Sequence, residues 1–280
     1  MGSIDALYAG AAPVTVRDAD PSRGCRRFGG RRALITGAAR GIGFASAVRL
    51  AAEGAQVWIT DRDEPALQQA RAAAAAAGLD LRTRVLDSLD LAAVAACAAN
   101  ITAEAGAIDI LVNNAGGSLH TPFRFLEEDD GHWHQVMQLN VMAAVAASRV
   151  VLPAMVAQGF GRIVNYGSKA GRFGSLIAGA NYAAAKGAIA AMTRQMAQEF
   201  GPSGVTVNCL CPGVVVTDRT RAMWAERRTA AEHEQMLQGI PLRRQAEVED
   251  VAAAVAFLAS EDAAFMTGVT LDLNGGQAMA

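Results

Sequence analysis

A tyrosine and a lysine four positions apart, Tyr182 and Lys186, are the residues whose types and spacing most directly suggest chemistry. The alanine-rich stretch around them predicts a helix, on which residues four apart share one face. A neighbouring ammonium favours the phenolate, so a tyrosine whose ordinary pKa is about 10 can exchange a proton nearer neutral pH. Short matches of this kind are common by chance, and in isolation an exposed lysine beside a half-buried tyrosine is the simpler interpretation. The surrounding elements must decide between the two.

A glycine-rich turn follows the first predicted strand, residues 32–36, and leads into a helix that runs to about Glu53. The turn contains Gly37, Arg40, Gly41, Ile42 and Gly43. Strand, glycine turn and helix together place backbone N–H groups and a helix N-terminus against a pyrophosphate. The spacing is GxxxGxG rather than GxGxxG, and a turn that only lets the helix pack closely on the strand is the alternative.

The second predicted strand, residues 56–60, ends at Asp61, about 20 residues beyond the glycines. A carboxylate there is suited to bind the adenosine ribose hydroxyls and to repel a 2′-phosphate, which favours NAD over NADP. Arg40 and Arg62 favour the opposite choice, since either arginine can pair with a phosphate. We give Asp61 more weight because the strand end fixes its position.

Polar groups also follow the next two predicted strands. Asp87 and Ser88 follow residues 82–86, and the run Asn113-Asn114-Ala115-Gly116-Gly117 follows residues 108–112. Ligands of open α/β sheets bind at the carboxyl ends of the strands, although an ordinary Asn/Gly turn would explain the second run equally well.

Asn140 lies in the middle of a long predicted helix, residues 131–158. Asparagine is unfavourable there because its amide competes with the helix backbone, so we expect the amide to have another use. A satisfied buried amide is the alternative.

The second half of the chain continues the same alternation. The fifth predicted strand covers residues 162–166 and is followed by Gly167 and Ser168. The sixth predicted strand covers residues 205–210 and is followed by Pro212, Gly213, Val215 and Thr217. The last predicted strand covers residues 269–273. The polar stretch of about 215–240, with Met223 and Trp224, is typical of a mobile helical flap over a pocket. Because strands and helices alternate without a linker, we predict one doubly wound α/β domain over residues 29–280, with helices on both faces of a parallel sheet.

Composition limits the function classes. The 280 residues are 52% hydrophobic and carry a formal net charge of −2, so no basic field indicates nucleic-acid binding. The four cysteines contain no CxxC pair, which favours a reduced, cytoplasmic protein. Cys209 and Cys211 alternate within an apolar run and are better explained as small core residues than as metal ligands, so we predict no metal site.

The chain shows neither a signal peptide nor an apolar run able to span a bilayer, because Ser148, Arg149 and Pro153 interrupt the longest candidate. Residues 1–28 have no sustained periodicity. We predict that they form a flexible arm, with packing on a neighbouring subunit as the alternative.

Taken together, these motifs resemble the short-chain dehydrogenase/reductase family. The resemblance covers about residue 30 to the C-terminus and rests on six motifs in order: Thr36-Gly37-x-x-x-Gly41-Ile42-Gly43, Asn113-Asn114-Ala115-Gly116, Asn140, Ser168, Tyr182-x-x-x-Lys186 and Pro212-Gly213-x-x-x-Thr217. It implies a Rossmann fold with seven parallel strands and a nicotinamide cofactor. The N-terminal arm departs from the family, in which only a few residues usually precede the first strand.

The resemblance also implies roles for individual residues. Tyr182 would be the general acid/base, Lys186 would hold the nicotinamide ribose and lower the pKa of Tyr182, and Ser168 would bind the reacting oxygen. Asn140 would hold a water that links Lys186 to solvent. Asp87, with Ser88 beside it, would contact the adenine, and residues 114–116 would line the adenosine side of the cofactor. Thr217 would contact the nicotinamide carboxamide, and Val215 would offer backbone contacts.

Within the family, the nearest resemblance is to 3-oxoacyl-carrier-protein reductases, in which two arginines typically dock the acidic carrier protein. Gly159 and Ser203 occupy those positions here. Together with Asp61, this favours an NAD-dependent dehydrogenase acting on a free secondary alcohol, polyol or cyclic ketone. An NADPH-dependent 3-oxoacyl reductase, acting on a carrier-protein or CoA thioester, is the alternative. Candidate pocket residues are Gly117, Ser118, His120, Arg172, Phe173, Met223 and Trp224, although a loop surface position explains His120 equally well. Lys169 follows Ser168 and could reach an anionic substrate, but a solvated lysine is the simpler interpretation.

The alternative to an enzyme is a regulatory protein that binds the cofactor but has no catalytic activity. This alternative exists because a fold alone does not fix function. Such a protein would be expected to have lost Ser168, Tyr182 or Lys186, and all three are present. The family usually forms homodimers or homotetramers through two long helices, here about 131–158 and 182–200. The small alanines of the second helix permit close contact, and we predict a homotetramer.

Overall fold

The computed structural model describes residues 26–175, 178–218, 220–222 and 229–279. Most of the predicted arm lies outside these residues. At its end, Phe28 is buried and its N–H donates a hydrogen bond to the carbonyl oxygen of Glu53, while Arg27 forms an ion pair with the Glu53 carboxylate. Residues 27 and 28 therefore pack on the domain.

Seven parallel strands form one sheet in the order β3-β2-β1-β4-β5-β6-β7, which confirms the predicted fold. The strands are β1 Arg32–Thr36, β2 Gln56–Asp61, β3 Leu81–Val85, β4 Ile110–Asn113, β5 Gly161–Tyr166, β6 Val205–Pro212 and β7 Thr270–Leu273. The strand order reverses between β1 and β4. Loops from the two halves of the sheet diverge at this point and leave the crevice in which doubly wound folds bind ligands.

Helices cover both faces of the sheet. The described helices are α1 Gly41–Ala52, α2 Glu64–Ala76, α3 Leu91–Ala105, α4 Asp130–Met137, α5 Ala143–Gln158, α6 Ala170–Phe173, α7 Ala180–Phe200, α8 Ala230–Gln238 and α9 Val248–Ala259. Buried residues of α1, α2 and α9 form one apolar cluster with the sheet, and those of α3, α5 and the end of α7 form a second. The sheet is therefore buried on both sides, as parallel sheets require.

The alternation of side chains along β1 explains this layering. Ala33 and Ile35 belong to the first cluster, whereas Leu34 between them belongs to the second. Successive strand residues point to opposite faces, so an apolar run supplies both layers at once. In β4, β5 and β6 every residue is buried.

The long predicted helix over 131–158 is one helical stretch with an interruption. A π-helical turn, Gln138–Met142, separates α4 from α5 and contains Asn140. The helical stretch Asp130–Gln158 is long and apolar enough to cross a membrane, but 50% of its most apolar part is buried inside the fold. Core helices of soluble proteins pass the same test, so the stretch is weak evidence for a membrane.

Candidate active site

Tyr182 and Lys186 lie on consecutive turns near the start of α7. Tyr182 is half-buried and Lys186 is buried, with its Nζ 5.7 Å from the centroid of the Tyr182 ring. The ammonium also donates a hydrogen bond to the carbonyl oxygen of Tyr166, at 2.8 Å, which fixes it at the end of β5. A held cation beside the phenol favours the charged form of that phenol.

Asn140 connects this pair to the loop after β4. Its Oδ1 accepts the N–H of Gly117 at 3.0 Å, and its Nδ2 donates to the carbonyl oxygens of Gly117 and Val136, both at 2.9 Å. Both hydrogens and the oxygen of the amide therefore have protein partners, and the amide lies within the π turn. A Cβ on Gly116 would lie 2.6 Å from Asn140 Oδ1 and 3.1 Å from Lys186 Nζ, so these two groups converge on one glycine.

Ser168 follows β5 and is half-buried, with its Oγ accepting the N–H of Ala170 at 3.1 Å. The turn that carries it needs two glycines. A Cβ on Gly167 would overlap the sulfurs of Cys209 and Cys211, and a Cβ on Gly171 would meet the backbone N of Gly187 at 2.6 Å. These close approaches hold the Ser168 turn against β6 and against the helix that carries Tyr182.

Cys209 and Cys211 lie below this turn with their sulfurs 3.7 Å apart, both buried. The S–H of Cys209 is shared with Cys211, and this contact together with burial raises the pKa of Cys209. Among the described residues, no group of three or more His, Cys, Asp or Glu is placed to hold a metal ion.

The glycine-rich turn fits a dinucleotide. Gly37 and Gly41 have φ of +61° and +57°, and a Cβ on Gly37 would lie 2.8 Å from the Cα of Ala115. A Cβ on Gly43 would lie 2.5 Å from the Nδ2 of Asn114, which donates hydrogen bonds to the carbonyl oxygens of Thr36 and Gly37. The turn is therefore a bare backbone cradle against the loop after β4.

The N-terminus of α1 opens into this cradle. Its N-cap residue, Arg40, makes no side-chain capping hydrogen bond, and no acidic residue lies in its first turn. Uncapped N–H groups at a helix N-terminus are suited to bind an anion such as a pyrophosphate. The predicted residues Gly37, Gly41, Ile42 and Gly43 thus lie in an arrangement that suits a dinucleotide.

Asp61 ends β2 beside the cradle and is half-buried. Its two carboxylate oxygens accept the N–H groups of Ala39 and Asp63, each at 3.2 Å. Arg40 forms an ion pair with Asp63 at 2.6 Å, and Arg62 is exposed. The carboxylate of Asp61 is therefore fixed by the backbone, whereas one of the two arginines that could pair with a phosphate already has an acidic partner.

The remaining predicted cofactor residues lie along the same edge of the sheet. Asp87 is exposed and Ser88 is buried beyond β3; Pro212 ends β6, and Val215 pairs with Ala246. A Cβ on Gly41 would lie 3.4 Å from the Cγ2 of Thr217, which brings the loop after β6 to the glycine cradle. The hydroxyl of Thr217 lies 3.1 Å from that of Thr220.

The predicted pocket residues are less uniformly placed. His120 is exposed, and Arg172 is held in an ion pair with Asp272 at 2.8 Å. Phe173 is exposed, Lys169 is half-buried beside Ser168, and Gly117 and Ser118 lie in the loop after β4. Met223 and Trp224 of the predicted flap lie outside the described residues.

Two residues that the sequence does not single out also approach Tyr182. Asn181 is fully buried, and its Oδ1 accepts the N–H of Tyr182 at 2.5 Å. Glu128 lies 53 positions before Asn181, yet its carboxylate accepts the Asn181 N–H. Adjacency to Tyr182 could have indicated Asn181; no spacing signal points to Glu128.

Comparisons with known proteins agree with this geometry. A family model described as enoyl-(acyl carrier protein) reductase matches residues 37–278. The 3-oxoacyl-[acyl-carrier-protein] reductase FabG of Vibrio cholerae is 40% identical over 251 residues, which cover 89% of this chain and 98% of that protein. The acetoacetyl-CoA reductase of Allochromatium vinosum is 38% identical over 251 residues, covering 88% and 98%.

Solved structures show the same relationship. A short-chain type dehydrogenase/reductase from Mycobacterium ulcerans superposes with a TM-score of 0.82 at 31% identity, covering 89% of this chain and 90% of that one. A 3-oxoacyl (acyl-carrier-protein) reductase from Agrobacterium tumefaciens, solved with NADP bound, gives 0.82 at 29% identity, covering 89% and 95%. The chain belongs to the short-chain dehydrogenase/reductase family, whose members are oxidoreductases that interconvert CH–OH and keto groups.

Proposed function

We propose that this protein transfers a hydride between NAD and a secondary alcohol or ketone, with Tyr182 as the general acid/base. The observation that carries the proposal is the buried Lys186 ammonium held 5.7 Å from the Tyr182 ring centroid, at the strand end where Ser168 and Asn140 also converge. The nicotinamide, when bound, supplies or accepts the hydride at the substrate carbon.

The residues of the chain supply the remaining chemistry. Tyr182 gives a proton to the carbonyl oxygen in reduction and takes one from the hydroxyl in oxidation, while Lys186 favours the phenolate. Ser168 donates a hydrogen bond to the reacting oxygen. Asn140, through Gly117, holds the loop that separates Lys186 from the cofactor cradle.

The choice of NAD rests on Asp61. Its carboxylate is held at the end of β2 by two backbone N–H groups, where it can accept hydrogen bonds from ribose hydroxyls and repel a 2′-phosphate. The ion pair between Arg40 and Asp63 supports the same choice, because it occupies a guanidinium that would otherwise pair with that phosphate.

A second candidate is an NADPH-dependent 3-oxoacyl reductase acting on a carrier-protein or CoA thioester. The relatives named above favour it, since they include 3-oxoacyl-carrier-protein and acetoacetyl-CoA reductases and a structure with NADP. Gly159 ends α5 and has no side chain at the position where, by the family resemblance, carrier-protein reductases carry a docking arginine. This feature argues against carrier-protein docking but leaves a CoA thioester open.

The test measures nicotinamide absorbance with NAD⁺ and NADP⁺ against secondary alcohols and polyols, and with NADH and NADPH against acetoacetyl-CoA. Tyr182→Phe is the control in every reaction. Turnover of an alcohol with NAD⁺ that is lost in the variant supports the main proposal. Turnover of acetoacetyl-CoA with NADPH alone supports the second candidate and overturns the argument from Asp61.

We further propose a small-molecule substrate, a cytoplasmic location and a homotetramer or homodimer. A mostly apolar groove lies where α3 meets α4 and the π turn, and Met142 in it is 42% exposed. Its lining residues are Leu91, Trp133, His134, Met137, Gln138 and Met142. A second copy covering this face would remove that apolar surface from water. Sedimentation that shows only monomer at micromolar concentration would contradict the oligomer.

A further inference from the structure

The catalytic helix α7 has no cap of its own. Its N-cap residue is Gly179, and no side chain of that residue can accept an N–H of the first turn. Glu128 takes this role from the loop before α4. The N–H of Asn181 lies 3.2 Å from its Oε2 and 3.5 Å from its Oε1. A carboxylate at a helix N-terminus also interacts favourably with the helix dipole.

The contact between Glu128 and the start of α7 leaves no room for a side chain at Gly179. A Cβ there would overlap Glu128 Oε1 and lie 2.6 Å from the carbonyl oxygen of Pro122. The φ of Gly179 is −67°, which any residue adopts, so the backbone conformation does not require glycine here. Space for the carboxylate and the loop does require it.

A second contact joins the same loop to α7. The Asn181 Nδ2 donates to the Oγ1 of Thr121 at 3.2 Å, while Asn181 Oδ1 accepts the N–H of Tyr182. Thr121 is in turn held by the carbonyl oxygen of Ser118, which accepts its N–H and its hydroxyl. Asn181 and Thr121 are both buried, so these hydrogen bonds are protected from water.

The segment before Thr121 is strained. Leu119 and His120 have φ of +53° and +57°, a left-handed conformation that costs free energy in residues with a side chain. At its start, Gly117 is held by Asn140. The loop 117–128 therefore connects Asn140 at one end to the residue before Tyr182 at the other, and its contacts compensate for the strain.

We propose that Glu128 is a positioning residue for Tyr182: its carboxylate fixes the start of α7 against the loop 117–128 and places a negative charge at the N-terminus of the helix that carries the phenol. This inference rests on the proposed role of Tyr182. The carboxylate contacts the backbone of the residue directly before Tyr182, so removing it changes both where the phenol is held and how readily it ionises.

The ionisation of Tyr182 can be followed without substrate. The chain has three tyrosines, Tyr8, Tyr166 and Tyr182, and burial raises the pKa of Tyr166 far above its ordinary value. Phenolate absorbance is titrated against pH for the wild type, Glu128→Gln and Glu128→Ala, each compared with the same chain carrying Tyr182→Phe. The difference isolates Tyr182. Glu127→Gln, a change in the exposed neighbouring carboxylate, is the matched control.

Other charges near α7 are the same in all these chains. Besides Lys186, α7 itself carries Arg194 and Glu199. The titratable and charged groups on the elements packed against α7 are Asp130, His132, His134, Arg162, Tyr166, Arg172, Cys209 and Cys211, and the adjoining loops carry His120 and Lys169. A shift confined to the Glu128 variants is therefore assigned to that carboxylate.

Glu128→Gln keeps an oxygen that can accept the Asn181 N–H but loses the charge. We expect its melting temperature to stay close to the wild type and its Tyr182 titration to move to lower pH, because a negative charge on the same helix disfavours the phenolate. Glu128→Ala loses the hydrogen bond as well. We expect its kcat on the alcohol that gives turnover to fall about tenfold with little change in KM, as for a misplaced catalytic group.

The proposal is overturned if both Glu128 variants titrate like Glu127→Gln, or if Glu128→Ala lowers only the melting temperature and leaves kcat unchanged. These results differ from a failure of the proposed function. In that case Tyr182→Phe itself would retain turnover, whatever the Glu128 variants do.

Discussion

The Nζ of Lys186 lies 5.7 Å from the ring centroid of Tyr182 and donates a hydrogen bond to the carbonyl oxygen of Tyr166 at 2.8 Å. One ammonium thus joins the helix that carries the phenol to the end of the strand that precedes Ser168. The ammonium that favours the phenolate of Tyr182 is therefore held in place by the end of β5, at the centre of the sheet.

Tyr182→Phe removes the proton donor but keeps the ring over the ammonium. We expect kcat to fall by about 10²- to 10⁴-fold, the range of general acid–base catalysis. Cofactor affinity, measured by nicotinamide fluorescence, should change little because the glycine cradle is untouched. A variant that keeps more than a tenth of wild-type kcat would contradict the role given to Tyr182.

Lys186→Met removes the cation and leaves a side chain of similar length. Without the ammonium the phenolate loses its stabilisation, so the pKa of Tyr182 should rise and the pH profile of alcohol oxidation should move to higher pH. Lys169→Met is the control, since it removes a lysine beside Ser168 and leaves Lys186 in place over the Tyr182 ring. Equal shifts in the two variants would show a general loss of positive charge instead.

Asp61→Ala removes the carboxylate at the end of β2. We expect the ratio of kcat/KM for NAD⁺ to that for NADP⁺ to fall at least about tenfold, which corresponds to roughly 1.4 kcal/mol. Asp63→Ala is the companion variant, because it releases Arg40 from its ion pair and should raise use of NADP⁺ further when combined with Asp61→Ala. A wild-type enzyme that already prefers NADP⁺ would refute the premise.

Gly167→Ala introduces a methyl group against the sulfurs of Cys209 and Cys211. Overpacking of this kind costs about 1–3 kcal/mol, so we expect a clear loss in the free energy of unfolding in urea. Gly201→Ala should be tolerated, since no atom lies within 4 Å of a Cβ at that position. Replacing Cys209 and Cys211 with Ala should restore part of the stability lost in Gly167→Ala, and failure to do so would mean that strain lies elsewhere.

Glu53 makes stability depend on pH. Burial alone would raise the pKa of Glu53, but hydrogen bonds from Arg27 and Arg49 outweigh it and hold the pKa below its ordinary value. A carboxylate with a lowered folded-state pKa stabilises the protein above its unfolded pKa, and this stability is lost as pH falls through the folded pKa. Glu53→Gln should therefore melt below the wild type at pH 7. The difference should shrink when both are compared in acid, below about pH 4; a constant difference would contradict the ion-pair origin.

Much of the site could be predicted from the sequence because it lies where strands end. Asp61 and the Asn113–Gly117 run follow apolar strands directly, and parallel strands bring such ends to one edge. The glycine turn was also recognisable, since its positive φ values restrict the residue type.

The remainder depends on contacts between segments far apart in the chain. Glu128 approaches Asn181 across 53 positions, and no local pattern records that approach. The burial of Phe28 could not be predicted from the sequence, because a single apolar residue after a polar stretch forms no periodic pattern. The π turn was missed for a related reason: Asn140 signalled an unusual use of its amide but not the change in helix type that accommodates it.

That turn also sets the phase of the helix that follows it. Val136 and Val141, before and within the turn, and Ala144 just after it pack in the cluster shared with α7. Further along the helix, Ala147 and Val151 pack in the cluster shared with α3 and the sheet. An α-helix advances by about 100° per residue, so one additional residue rotates everything downstream by about that angle. The extra residue of the π turn rotates α5 relative to α4. Because of this rotation, Asn140 can face the loop after β4 while the apolar side chains of α5 still pack against the sheet. Deleting one residue here would force the chain to give up one of these two orientations.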